Sequence, residues 1–233
     1  MDPYYTRVSF VPILTAGGAA PAVYTVASGA IVRGFSYAIG SDMGPGGNPG
    51  VFAQACDTNI VTAGKTIGGR AVEIQGISCQ FTPFNRSASL AANLFTNTSM
   101  RLLFNGSETN ILLGPLYMVP GGNGFYSTNG EDLSQEPAIP GGKSFFGAYT
   151  NGLPGRDNVL KIREGIIWQP EGESDSSLVI QLTPERNISV QAPANEAAAA
   201  GIRGYVQPTA QAMTVDLMLQ LHGRIVGPRS HIV

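Results

Sequence analysis

The stretch TVDLMLQLHGRIV, residues 214–226, alternates in character from one residue to the next. Val215, Leu217, Leu219, Leu221 and Ile225 fall on one side; Asp216, Met218, Gln220, His222 and Arg224 fall on the other. Successive side chains of a strand point to opposite faces, so the pattern predicts a β-strand with one face in a core and one in water. Burying five aliphatic side chains does not by itself offset the ordering of a dozen residues. A second apolar face must lie opposite, and the strand therefore predicts a second sheet. The polar face raises the functional question, because Asp, His and Arg are also the groups an acid–base site would use.

Period-two runs recur along the chain. In AIVRGFSYAIG, residues 30–40, the inward set is expected to be Ile31, Phe35, Tyr37 and Ile39. In SSLVIQL it is Leu178, Ile180 and Leu182, and in NISVQ it is Ile188 and Val190. AVEIQGISCQF changes phase: Val72 and Ile74 share one side, Ile77, Cys79 and Phe81 the other, with Gly76 between them. One extra residue at a glycine predicts a β-bulge or sharp bend there. Breakers end the runs at GPGGNPG (44–50), PGGNG (120–124), PGGK (140–143), NGLPG (151–155) and PEGES (170–174). Helical patterns are confined to SASLAANLF (87–95) and ANEAAAAG (194–201), both too short to cover a sheet. Ten to twelve strands without a βαβ rhythm or a fixed-period repeat predict an all-β chain, an antiparallel sandwich or barrel.

With 233 residues the chain fits a single core, and 43% hydrophobic content suffices to fill it. Only 13% of residues are charged, about half the usual share. Such a surface is either covered by other copies or kept wet by uncharged Ser, Thr, Asn and Gln. The net charge of −2 argues against a general nucleic-acid groove. Lysine occurs only at Lys65, Lys143 and Lys161, and the resulting Arg bias suits multi-donor contacts at interfaces. Cys56 and Cys79 match no zinc spacing and are expected to be buried thiols. MDPYYTRVSF holds an acid and a proline where a secretion signal needs basic residues and an apolar run. The longest apolar run, ILLGPLYMV at 111–119, is half a membrane span and holds Gly114 and Pro115, so a soluble chain is expected.

Tests for chemistry return no assigned catalytic, cofactor or metal residue. PGGKS, 140–144, resembles the end of a phosphate loop, but Pro137 stands where the first Gly is required and FFGAYTNG reads as a strand. GFSYA, 34–38, lacks the second Gly of a nucleophile elbow, which leaves Ser36 a solvent-facing strand residue. A Cys–His pair would have to join Cys56 or Cys79 to His222 or His231. Glu171, Glu173 and Asp175 alternate as calcium ligands can, but read more simply as a solvated acidic turn. Sequons begin at Asn85, Asn97, Asn105 and Asn187 and carry little weight without a secretion signal. Trp168, closing IREGIIWQP, reads as a core or interface anchor. Asp216, His222 and Arg224 read as solvent or subunit contacts on a wet face.

A wholly β chain of this length with long Gly/Pro loops, closing on SSLVIQLTPERNISVQ and TVDLMLQLHGRIVGPR, resembles a viral capsid jelly roll. The run ending in HGRIVGPR is similar in style to the last strand of coat proteins of tailless icosahedral double-stranded DNA viruses, several of which carry an internal membrane. The resemblance is one of layout across most of the chain. It transfers no functional residue by position, and those coats often stack two rolls where this chain has room for one. It implies a single roll of eight core strands plus extra strands, with arms at about 1–14 and 227–233. It also implies a non-enzymatic structural subunit of a virion, made in the host cytoplasm and assembling into capsomers. Its partners would be copies of itself, other capsid proteins and, where one is present, the internal membrane. The rival expectation is a lectin-like carbohydrate-binding or receptor-binding sandwich that stacks Trp168 or Tyr205 on sugar rings. A hydrolase on a β scaffold ranks last.

Overall fold

The computed structural model describes residues 4–15, 23–66, 71–81, 88–104, 109–119, 126–127, 149–150, 159–168, 177–191 and 214–226. In chain order its elements are β1 (Tyr4–Phe10), β2 (Ile13–Thr15), β3 (Val23–Val26), β4 (Val32–Gly34), β5 (Ala71–Phe81), α1 (Ala88–Asn97), β6 (Thr98–Phe104) and β7 (Thr109–Pro115). They continue with β8 (Tyr126–Ser127), β9 (Tyr149–Thr150), β10 (Leu160–Trp168), β11 (Leu178–Pro184), β12 (Ile188–Gln191) and β13 (Val215–Val226). Eight strands form two four-stranded sheets, β1-β13-β5-β10 and β4-β11-β6-β7. The rest form a three-stranded sheet, β12-β3-β2, and the pair β8-β9. All described pairings are antiparallel. The described residues are all-β apart from α1 and two short 3-10 turns, an arrangement consistent with a sandwich.

Strand β13 lies between β1 and β5, pairing Leu219 with Thr6 on one side and with Cys79 on the other. Val215, Leu217, Leu219 and Leu221 are buried, as their spacing predicts. They join one core with Val8, Phe10, Ile74, Ile77 and Phe81 of the same sheet and Met100, Leu102, Leu178, Ile180 and Leu182 of the other. Contact between the sheets is tight at Gly34 of β4, which faces inward. A Cβ there would come within 2.6 Å of Leu219 Cδ1 and 2.8 Å of Thr6 Cγ2, so only glycine lets the layers approach this closely.

The phase change in β5 is a bulge. His222 pairs with Gly76 and Gly223 with Ile74, so Gln75 is left over, and all five apolar residues on either side of it face the core. Beyond this bulge β13 leaves the core, and Ile225, expected inside, is 42% exposed. A second correction concerns residues 30–40. β4 lasts only three residues because Phe35 takes a positive φ of 63°. The turn buries Phe35 and Tyr37 as expected but reverses the phase before it: Val32 and Gly34 point inward, and Ile31 and Ile39 are exposed.

The turn at Phe35 is held from three sides. Its ring meets Trp168 edge-on at 6.1 Å, and its carbonyl accepts from Gly64 N at 2.7 Å. Gly64 O in turn accepts from Trp168 Nε1 at 2.7 Å and from Leu178 N at 3.2 Å. The segment 35–64 is thus a long loop closed at its base on a fully buried tryptophan. The helix expected over 87–95 is α1, whose Leu90, Ala91, Leu94 and Phe95 enter the core. The helix expected over 194–201 lies outside the described residues, as does the C-terminal arm at 227–233. Over residues 4–10 the expected N-terminal arm is built into its own chain's first sheet as β1.

Gly47 caps the 3-10 turn Gly44–Gly46 with φ +90°, and a Cβ added there would come within 1.9 Å of the Ser9 carbonyl oxygen of β1. Gly50 has a similar φ of +80° but open space around it. We expect Gly47→Ala to cost on the order of 3 kcal/mol or more, combining left-handed strain with the clash, and Gly50→Ala about 1–2 kcal/mol from strain alone. Urea midpoints of the two variants measure the difference.

Candidate functional site on the outer face of the first sheet

In the first sheet β1 has β13 on one side only, so its other edge needs partners for its backbone groups. The segment 54–60 supplies them. Arg7 N donates to Asp57 O at 2.7 Å, Asn59 N to Tyr5 O at 3.3 Å, and Tyr5 N to Asn59 Oδ1 at 2.9 Å. Thr58 Oγ1 also donates to Tyr5 O, and the Tyr37 hydroxyl donates to Arg7 O. Burial pushes the Tyr37 phenol up to about 12, which keeps it the neutral donor this contact needs.

Side chains complete the clasp. Arg7 Nη1 reaches Asp57 Oδ1 at 3.1 Å, and its Nη2 bonds to Asp216 on β13. Asp216 also accepts from Ser9 Oγ at 2.6 Å, and Asp57 Oδ2 from Gln54 N at 2.9 Å. Burial opposes the Arg7 charge, but the Asp216 and Asp57 carboxylates outweigh it and hold its pKa above the ordinary value. One guanidinium thus ties the long loop to both the edge strand and the central strand of the sheet.

The other two polar residues of β13 serve different partners. His222 Nε2 lies 2.8 Å from Ser78 Oγ, and Arg224 Nε bonds to Glu73 on β5. At about 3.4 Å per residue, Asp216 and His222 stand roughly 20 Å apart along the strand, too far to act as one acid–base unit. Ser78 is 1% exposed, so an incoming substrate would not reach its hydroxyl. Among the described residues no carboxylate is bonded to His222 to orient it as a base. Cys79 faces the core and cannot meet His222 on the opposite face; Cys56, expected to be buried, is exposed on the loop. Ser36 sits in a bend and donates to its own chain at Arg33 O, 2.8 Å away. Trp168 is fully buried and edge-on to Tyr4 at 5.1 Å, so its ring is not available to stack on a sugar. His231, Glu171, Glu173, Asp175, Tyr205, Asn85, Asn105 and the stretch 140–144 lie outside the described residues.

Beside these polar contacts the loop exposes apolar side chains. The loop that clasps β1 presents Ile39, Val51, Phe52 and Val61, with Phe52 64% and Val61 66% exposed. Backbone bonds from Ile39 N to Ile60 O and from Gly40 N to Ala53 O bring these residues into one region. Beneath them Tyr37, Met43 and Ala53 form a small separate core. Sequence reasoning missed this exposed apolar loop because its residues follow no period. Among the described residues there is no cluster able to hold a metal ion and no helix long and apolar enough to cross a membrane. No protein-family model, no curated protein and no solved structure matches the chain.

Two measurements check this geometry. Burial pushes the Cys79 thiol up to about 12, so a thiol reagent should label one cysteine, Cys56, in the native protein and both after unfolding. Burial also holds His222 below its ordinary 6.5. The unfolded chain then takes up a proton at this residue first, so stability should fall as pH drops from about 6.5 through the lowered native value. His222→Gln should flatten that part of the profile of urea midpoint against pH.

Proposed function

We propose that the chain is a single jelly roll that serves as a structural subunit of a viral capsid. Strand order carries the reading. Counting only the eight strands of the two large sheets in chain order, the first sheet runs 1-8-3-6 and the second 2-7-4-5. Two Greek keys wound together would produce this kind of interleaving, and it supports reading the sandwich as a jelly roll, an architecture of viral coats and lectins. Residue chemistry favours the coat between these two. Trp168, the residue best suited to sugar stacking, is spent on the core. The surface instead shows large apolar residues, including Ile13 on β2, Phe52 and Val61 on the clasped loop, and Tyr117 and Met118 in a 3-10 turn, each more than half exposed. With 13% charged residues there is little to keep copies apart, and desolvated aliphatic and aromatic contacts are what subunit interfaces use.

In this reading the protein works by shape. The clasped loop 35–64 presents a fixed apolar patch to a neighbouring copy or to another capsid protein, and the residues of the outer sheet face hold the patch in place. Its setting is the virion. Light scattering and electron micrographs of the purified protein test this: capsomers or shells are expected, and a single-chain mass at all concentrations would overturn it. Phe52→Asp should reduce assembly at least about tenfold without moving the unfolding midpoint by more than about 0.5 kcal/mol, because Phe52 is a surface residue.

A further inference from the structure

We infer that β2 is an open docking edge, and that its occupant is the same strand of a second copy, paired antiparallel about a two-fold axis at Leu14. The contrast with β1 motivates this. The edge of β1 is covered by four hydrogen bonds to Asp57, Thr58 and Asn59 and by the Tyr37 hydroxyl. β2 is also an edge strand, in the order β12-β3-β2, and among the described residues nothing pairs its outer side. All three of its residues are exposed, Ile13 by 67% and Leu14 by 39%.

Proteins blunt open edges with lysines, bulges, inward charges, prolines or very short strands; β2 is only three residues long after Pro12, but it carries no charge and no bulge. From Val8 to Val32 the chain carries no Asp, Glu, Lys, Arg or His at all. An edge of this kind is completed by an extended, uncharged segment, because a charged partner would be desolvated against Ile13 and Leu14 without compensation. The corresponding strand of another copy meets that requirement and would pair the outward backbone groups of both strands at once. A two-fold axis at the central residue sets Leu14 opposite Leu14 and Ile13 opposite Thr15, the isologous geometry of closed dimers. The three-stranded sheet then continues through its twin as one six-stranded sheet. Three residues bury far less than the roughly 1,200 Å² a stable dimer needs, so this pairing adds to other contacts within an assembly. The identity of the partner therefore rests on the shell-subunit reading, while the exposure of Ile13, Leu14 and Thr15 does not.

Directly opposed α-carbons in an antiparallel pair lie about 4.5–5.5 Å apart, within disulfide reach. The test is Leu14→Cys in a Cys56→Ser background, oxidised at high protein concentration, with Thr96→Cys on the exposed face of α1 as the collision control. Covalent dimer at least about tenfold above the control supports the pairing. A yield equal to the control overturns it, whether or not particles form. Particles without the cross-link leave the shell reading standing and remove this edge contact. The cross-link without particles supports the edge and removes the shell. Leu14→Lys supplies a second arm: it should abolish the cross-link between an Ile13→Cys copy and a Thr15→Cys copy, the residues this axis opposes, and retention of that cross-link would also count against the pairing.

Discussion

The closeness of the two sheets at Gly34 governs the rest of the structure. Leu219 at the centre of β13 packs between Thr6 and Cys79 in its own layer and directly under β4 of the other. Because no side chain fits at Gly34, Leu219, Thr6 and Val8 fill that space. β4 can follow this surface for only three residues before it must turn, and the positive φ at Phe35 is that turn. Everything in the loop that follows depends on where this turn sends the chain: Phe35 onto Trp168, Tyr37 onto the Arg7 carbonyl, and Asp57 onto the Arg7 guanidinium.

The loop solves a problem that any open sheet has. Unpaired backbone groups along β1 would attract foreign strands, so the chain folds its own segment over them and locks it with an ion pair. Arg7 side-chain exposure is 34%, which lets water screen part of the attraction, while Asp57 at 8% would be left poorly solvated without it. The clasp is therefore better understood as fixing the position of the loop than as a large source of stability. Fixing that position is also what a contact surface requires, since ordering a loose loop on binding would reduce affinity.

Much of the scaffold is legible in the sequence because period-two alternation is local. Residues 215–221, 178–182 and 72–81 could be assigned to faces from spacing alone, and Gly76 marked the bulge because phase changes there. The same method misplaced Ile31 and Ile39, since the alternation continues past Phe35 while the backbone does not. Ile225 failed for a related reason: the partner strand bulges, and the apolar face of β13 outlasts the core beneath it. Cys56 carries no local signal of exposure. The clasp was not legible at all. Arg7 meets Asp57 and Asp216 across 50 and 209 residues, and an ion pair between distant segments leaves no spacing to read.

That last separation bears on how the molecule comes to be made. At ribosomal rates of about 5–20 residues per second, β1 emerges roughly 10–40 s before the strand that will flank it in the sheet. The segment carrying Asp57 and Asn59 follows β1 by only about 50 residues, within seconds. Order of synthesis thus hands the nascent β1 its loop before its sheet. The segment that covers this edge in the finished protein is also the first native partner available to shield it from neighbouring chains on a crowded polysome.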